Sequence, residues 1–218
     1  MRWELPAQRN WFDFHICRSR PIQQNVRMTT RQLILVGGPN GAGKTTFSMK
    51  EIALKGGTYL GADAIAAEIS PENPAAAAIE AGRIFLERFD QLIQTEQRLI
   101  VESTLAGKSL GQMISRAKIL GFQVQIKFIF VDSSDTSLIR VRQRFSTGGH
   151  DVPADDVRRR FTRSIVNFWT RYRPLADQWL LIYNAVGGPV EVAAGGNDQL
   201  TIFREALFLQ FQQIVKQA

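Results

Sequence analysis

The sequence predicts a three-layer α/β/α domain, built on a mainly parallel five-stranded sheet with helices on both faces and a helical, arginine-rich lid. Three observations carry this expectation. The apolar run Leu33-Ile34-Leu35-Val36 leads directly into a glycine-rich turn and then a helical pattern. Four further strand-length apolar runs alternate with helical periodicities, the order that builds parallel sheets. Residues 140–173 place nine arginines on two helical patterns separated by a Gly148-Gly149-His150 loop.

Composition bounds the rest. The chain has 218 residues, 44% hydrophobic and 22% charged, with a formal net charge of +7. That is an ordinary globular composition with enough chain to bury its own core. No apolar run approaches the roughly 18 residues of a membrane span, so no membrane role is expected. The single cysteine, Cys17, excludes an intrachain disulfide framework and a cysteine zinc cluster; a cytoplasmic location is expected. The positive charge points to an anionic partner.

Residues 1–27 differ from the remainder of the chain. They contain two of the four Trp and five Arg, show no sustained period, and lack the continuous apolar segment of a secretory signal. Met28 then stands just before the first strong strand. Residues 1–27 are expected to be an N-terminal extension, either a non-native start or a loosely attached arm, with packing through their aromatics as the alternative. Residues 28–218 form the expected domain.

The first strand, Leu33–Val36, suits burial on both faces. Gly38, Gly43, Lys44 and Thr45 match G-x-x-x-x-G-K-[ST] in full, with Pro39, Asn40, Gly41, Ala42 and Thr46 completing the loop. Glycines let backbone N–H groups turn inward on phosphate oxygens, and the helix after the loop aims its positive end at the same anion. Lys44 is placed for the β/γ phosphates and the Thr45 hydroxyl for Mg²⁺. The expectation is a P-loop NTPase fold binding ATP or GTP with Mg²⁺.

The remaining strands are expected at Thr58–Leu60, Arg98–Val101, Val124–Val131 and Trp179–Tyr183. Between them, Asn73-Pro74 reads as a helix start, with Ile79, Leu86, Phe89 and Ile93 marking its inner face. Ser109–Leu120 is a second helix, stopped by Gly121. Pro189–Ala193 is a short extra strand, and Thr201–Gln217 a closing amphipathic helix.

Ligands of such sheets bind at the carboxyl ends of the strands, which makes Asp63, Glu102, Thr104 and Asp132 the polar candidates. Asp63, just past the second strand, suits a base that accepts a hydroxyl proton; the competing role is to cap the next helix. Glu102 either reaches Mg²⁺ or holds substrate hydroxyls beside Thr104. Asp132 reads as part of a turn. In the arginine arm, Val157, Phe161, Ile165, Phe168 and Tyr172 form an apolar stripe, and Leu138, Val141 and Phe145 share a face of the preceding helix. The arm, about residues 135–173, reads as a lid that closes arginines over the phosphates, with His150 a candidate substrate contact.

These pieces together resemble the zeta toxin family of P-loop kinases, especially its short bacterial branch. The resemblance spans roughly residues 31–184. It is carried by Gly37–Thr46, Gly61-Ala62-Asp63-Ala64-Ile65-Ala66, Ala81-Gly82-Arg83, Val101–Gly107, Gly148–Pro153 and Arg159-Arg160-Phe161. It implies phosphorylation of a sugar hydroxyl on a nucleotide-activated amino sugar, typically UDP-N-acetylglucosamine. Lys44 and Thr45 would then serve nucleotide and Mg²⁺, with Asp63 as base. Glu102 and Thr104 would hold substrate, Arg140 or Arg144 would contact phosphates, and an antitoxin protein is the implied partner. The chain departs from the best-known toxins in length, and it places His150 where they carry a second lid arginine. The alternatives are a P-loop kinase or NTPase acting on another nucleotide-like substrate, a nucleic-acid-associated module, or an inactive nucleotide-binding protein. The charge distribution disfavours nucleic acid. Residues 1–27 carry +3 and residues 140–173 carry +6, leaving the body of the domain at −2.

Overall fold

The computed structural model describes residues 30–146, 152–196 and 199–217. The extension expected at 1–27 and His150 lie outside the described residues.

The chain folds as β1 (Gln32–Gly37), α1 (Lys44–Lys55), β2 (Thr58–Gly61), α2 (Ala62–Ile69), α3 (Ala78–Thr95), β3 (Arg98–Ser103), α4 (Leu110–Ile119) and β4 (Gln123–Phe130). Next come α5 (Ser134–Ser146), α6 (Ala154–Asn167), β5 (Gln178–Ala185), β6 (Gly188–Gly196), β7 (Gln199–Ile202) and α7 (Glu205–Lys216). A π-helical turn, Phe168–Tyr172, and a 3₁₀ turn, Arg173–Leu175, extend α6 toward β5.

The sheet has seven strands in the order β2-β3-β1-β4-β5-β6-β7. The first five are parallel, as expected. Two strands stand beyond the expected five: β6 contains the extra strand expected at Pro189–Ala193, and β7 is a correction. β6 and β7 add an antiparallel meander to the β5 edge, and β7 takes residues assigned from sequence to the closing helix. That helix starts at Glu205 instead. The short Gln199–Ile202 run comes after a glycine pair and pairs with β6 before any helix can begin.

Alternation along the central strands sorts the core. Leu33, Leu35, Leu99, Val101, Ile126, Phe128 and Phe130 face one side, where α2, α3, α4, α6 and α7 supply Ile65, Phe85, Phe89, Met113, Ile165 and Phe211. Ile34, Val36, Ile100, Ile129 and Ile182 face the other, covered by α1 through Phe47 and Ile52. Phe128 and Phe168 stack with ring centroids 4.2 Å apart, a contact that aromatic pairs favour beyond area burial.

Two helical readings shift. Asn73-Pro74 opens a series of tight turns, with Ala76 and Ala77 N–H groups donating to Asn73 and Pro74 carbonyls, and α3 begins only at Ala78. Its buried face is Ala81, Phe85, Phe89 and Ile93; Ile79 is 92% exposed. Leu86, also expected on the inner face, is 39% exposed, so the face that packs on the sheet is the four-residue stripe from Ala81.

The arginine arm divides between two cores. Leu138, Val141, Val152 and Val157 form a small cluster of their own between α5 and the start of α6. Phe161, Ile165, Phe168 and Tyr172 belong to the main core. Phe145, expected on the inner face of α5, is exposed.

Candidate active site

The parallel register fixes what meets at the strand ends. Val36 and Gly61 both lie level with Glu102, so β3 carries its carboxylate between the phosphate loop and the β2–α2 corner. From Glu102, Oε1 accepts a hydrogen bond from the Thr45 hydroxyl at 3.0 Å. Its Oε2 accepts one from the Tyr59 hydroxyl at 2.9 Å. Both carboxylate oxygens are therefore aimed by neighbours on different elements. Burial and the adjacent Glu102 push the Tyr59 hydroxyl far above the ordinary phenol range, so it stays a neutral donor. Nothing in the sequence singled out Tyr59; only the β2–β3 register brings it to Glu102.

Lys44, the first residue of α1, is buried and donates to the Pro39 carbonyl at 3.0 Å. Burial lowers its pKa below the usual lysine range. The Glu102 and Asp63 carboxylates oppose that shift, and Arg144 and Arg160 add to it. These five charged groups thus sit within electrostatic reach of one point. Arg160, on α6, was not distinguished from its neighbours by sequence. Asp63 is exposed in the first turn of α2. The cap position of that helix is Gly61, which corrects the reading of Asp63 as its capping residue. Asp132 is exposed beyond β4, and the cap of α5 is Ser133, whose Oγ accepts from the Thr136 N–H at 3.1 Å.

The loop's glycines are required by its surroundings. A Cβ on Gly38 would lie 2.1 Å from the Ile129 carbonyl oxygen, and Gly38 has φ +148°. A Cβ on Gly41 would lie 2.7 Å from the Ser137 carbonyl oxygen. α5 therefore packs directly on the loop. From its second turn, Arg140 donates to the Asn184 carbonyl at 2.9 Å. Asn40 keeps its side-chain oxygen buried in the loop with no protein partner.

Thr104 lies in the β3–α4 loop, and α6 holds that loop through side-chain donors. Ser164 Oγ donates to the Thr104 carbonyl, Asn167 Nδ2 to the Leu105 carbonyl at 2.9 Å, and Tyr172 to the Gly107 carbonyl at 2.6 Å. Leu105 is fully buried with φ +58°, a left-handed backbone rare for leucine. Its side chain fills the space beside Gly37, where a Cβ would come within 2.5 Å of Leu105 Cδ1. Strain of this kind is stored where the surroundings over-determine a backbone.

The donor set fits Mg²⁺. Thr45 and Glu102 offer hard oxygen ligands within one hydrogen bond of each other. Mg²⁺ in phosphate-transfer sites is held by one or two such protein groups, with substrate phosphates and water completing the shell. Among the described residues no group of three or more His, Cys, Asp or Glu side chains converges to hold a metal. Also among the described residues, no helix is long and apolar enough to cross a membrane.

The AAA domain family matches residues 33–164. An uncharacterized protein of Haemophilus influenzae is 32% identical over 141 residues, covering 64% of this chain and 99% of that one. Among solved structures, AvrRxo1-ORF1:-ORF2 with ATP superposes with a TM-score of 0.68 at 18% identity, over 85% of this chain. The match spans only 64% of that larger chain. A structure from the PezAT chromosomal toxin-antitoxin system of Streptococcus pneumoniae superposes with a TM-score of 0.58 at 14% identity, over 89% of this chain and 87% of that one. The family match covers more than half of the sequence, from β1 through most of α6, so the chain belongs to the AAA domain family, and it shares its fold with the AvrRxo1 and PezAT structures.

Proposed function

We propose that the chain is a small-molecule kinase that transfers the terminal phosphoryl group of ATP, or GTP, to a hydroxyl of a nucleotide-activated amino sugar of the UDP-N-acetylglucosamine type. The observation that supports this most is that Glu102 and Asp63 stand at the paired ends of β3 and β2, Glu102 bonded to Thr45 and both acting electrostatically on Lys44. An NTP-hydrolysing site needs only to orient water, whereas an exposed second carboxylate beside the phosphate lysine suits a hydroxyl acceptor.

In this reading residues 38–46 cradle the phosphates through backbone N–H groups and Lys44. Thr45 and Glu102 hold Mg²⁺, which when bound supplies positive charge to the phosphate oxygens. Asp63 accepts the acceptor's hydroxyl proton as the new O–P bond forms and the bond to the nucleoside diphosphate breaks. Arg140 and Arg144 stabilise the charge on the transferring group. Glu102 and Thr104 face the acceptor, and His150 is a further acceptor contact. The closing part of the lid is the small α5–α6 core, since Phe161–Tyr172 is packed into the main one. An antitoxin protein is the proposed partner, by analogy with the toxin-antitoxin system of the Streptococcus neighbour.

The arm's own pairing argues against a nucleic-acid surface. Arg158 pairs with Asp135 at 2.9 Å, Arg159 and Arg160 pair with Asp156, and Arg173 lies over the Trp169 ring. The test is incubation with ATP, Mg²⁺ and a panel of UDP-sugars, read by mass for one added phosphoryl group. Product with an amino sugar is expected. ATP turnover with no phospho-sugar would overturn the acceptor and leave the fold untouched.

A further inference from the structure

We propose that Asn184 is a positioning residue that holds the phosphate loop in its anion-binding shape and ties it to the lid arginine Arg140. Asn184 lies in β5, beyond the residues that the AAA domain family matches. The inference rests on the nucleotide-binding reading of the loop.

The side chain reaches the loop across 142 positions of sequence, with Nδ2 donating to the Ala42 carbonyl at 2.9 Å. That carbonyl shares one planar trans peptide with the Gly43 N–H, and the two groups point in opposite directions. A donor that fixes the oxygen outward therefore fixes the N–H inward, toward the phosphates. Without it, a peptide flip would turn a partial negative charge on the anion. Gly43 itself has φ +92°, and a Cβ there would lie 2.6 Å from Asn184 Nδ2. Glycine at 43 is thus required both by its backbone and by the amide that leans on it.

The main chain of the same residue faces the lid. The Asn184 carbonyl accepts from Arg140 Nη2 at 2.9 Å. Arg140 also packs near the loop, its Cβ 3.2 Å from where a Gly41 Cβ would stand. One residue therefore anchors the cradle by its side-chain donor and the arginine by its backbone acceptor. Displacing Asn184 disturbs both. The partly buried bond adds little to overall stability, because net hydrogen-bond contributions are modest; its effect falls on nucleotide affinity.

The experiment is calorimetric titration of the full chain with MgADP and MgATP, comparing wild type with Asn184→Ala and Asn184→Asp. The aspartate keeps the shape and removes the donor. Both variants should raise the ADP and ATP dissociation constants about tenfold. The ligand-free melting temperature should move by only about 2–4 °C, and KM for the hydroxyl acceptor should not change. In an Arg140→Ala background the effect of Asn184→Ala on ATP binding should shrink. Variants that bind ADP within twofold of wild type would overturn the inference alone. So would an affinity loss matched by loss of ligand-free structure, and fully multiplicative effects would refute the coupling to Arg140. A wild-type chain that binds neither nucleotide would overturn the nucleotide reading and this inference with it.

Discussion

Glu51→Gln tests what holds α1, and with it Lys44 and Thr45, on the sheet. Glu51 is 1% exposed on the inner face of α1. Its Oε2 meets Lys127 Nζ at 2.8 Å, its Oε1 meets Arg98, and Lys55 stands at 3.9 Å. Lys127 and Arg98 are themselves only 12% and 15% exposed. The substitution removes the buried carboxylate that both of these cations contact, a change that costs about 3–5 kcal/mol. For a chain of this size each kcal/mol moves the melting temperature by roughly 2–4 °C, so a fall of about 6–20 °C is expected by calorimetry at pH 7. The pH dependence supplies a second readout. Burial raises the Glu51 pKa, but Lys127 and the other cations outweigh it and hold the value below the ordinary glutamate range. A depressed carboxylate contributes stability that is present above its unfolded pKa, about 4.3, and is lost as pH falls through the folded value. Wild type should therefore lose stability on acidification below about pH 4, and Glu51→Gln should show a flatter slope there. A melting point within 2 °C of wild type, together with an unchanged acid slope, would refute the view that the pairing outweighs the burial of its charges.

The other expectations concern the site. Lys44→Ala should abolish turnover, checked by phosphoryl transfer from labelled ATP. Asp63→Asn should lower transfer by about 10²–10⁴-fold while leaving the ATP dissociation constant within about threefold; equal transfer rates would exclude Asp63 as base. Tyr59→Phe removes the donor to Glu102 Oε2 and should raise the Mg²⁺ concentration giving half-maximal activity, with the melting temperature moved by no more than about 2–4 °C. On addition of ATP, amide hydrogen exchange should slow across 135–160 and stay unchanged across 161–172, because the first segment has its own small core and the second belongs to the main one.

The phosphate loop and the parallel core were legible because each announces itself locally. Leu33–Val36 is a continuous apolar run, the glycine and lysine spacing is rigid, and strand ends carry Asp63 and Glu102 in plain view. What escaped depends on register and on distance along the chain. Tyr59 looks like any strand aromatic until β2 pairs with β3 and sets it beside Glu102. Asn184 looks like a polar residue ending an apolar strand, and its partner is Ala42, far back in the sequence. The α3 stripe failed for a different reason. Ile79, Leu86 and Ile93 fit a helical period as Ala81, Phe85, Phe89 and Ile93 do, and packing against the sheet buries the second set. β7 failed because four residues of edge strand carry too few alternations to outweigh an adjoining helical pattern.

The arginine arm shows why net charge alone is a poor guide to partners. Its excess of +6 already counts Asp151, Asp155 and Asp156, and the structure shows where several of its nine arginines are held. Arg158 joins α6 to α5 through Asp135, Arg159 and Arg160 share Asp156, and Arg173 stacks on Trp169. Arg140 is held against the Asn184 carbonyl. Arg144 and Arg160 bear on the Lys44 environment while remaining open to solvent in part. A polyanion would need many exposed cations along one face to gain from counterion release. A nucleoside triphosphate needs only a few, converging on one point with water excluded. In the proposed reading the +6 segment works in the second way; its two helices share a private core, and its far end is fixed by Ser164, Asn167 and Tyr172 to the loop that carries Thr104. Because that far end is packed into the main core, the Thr104 loop is held independently of the small α5–α6 core.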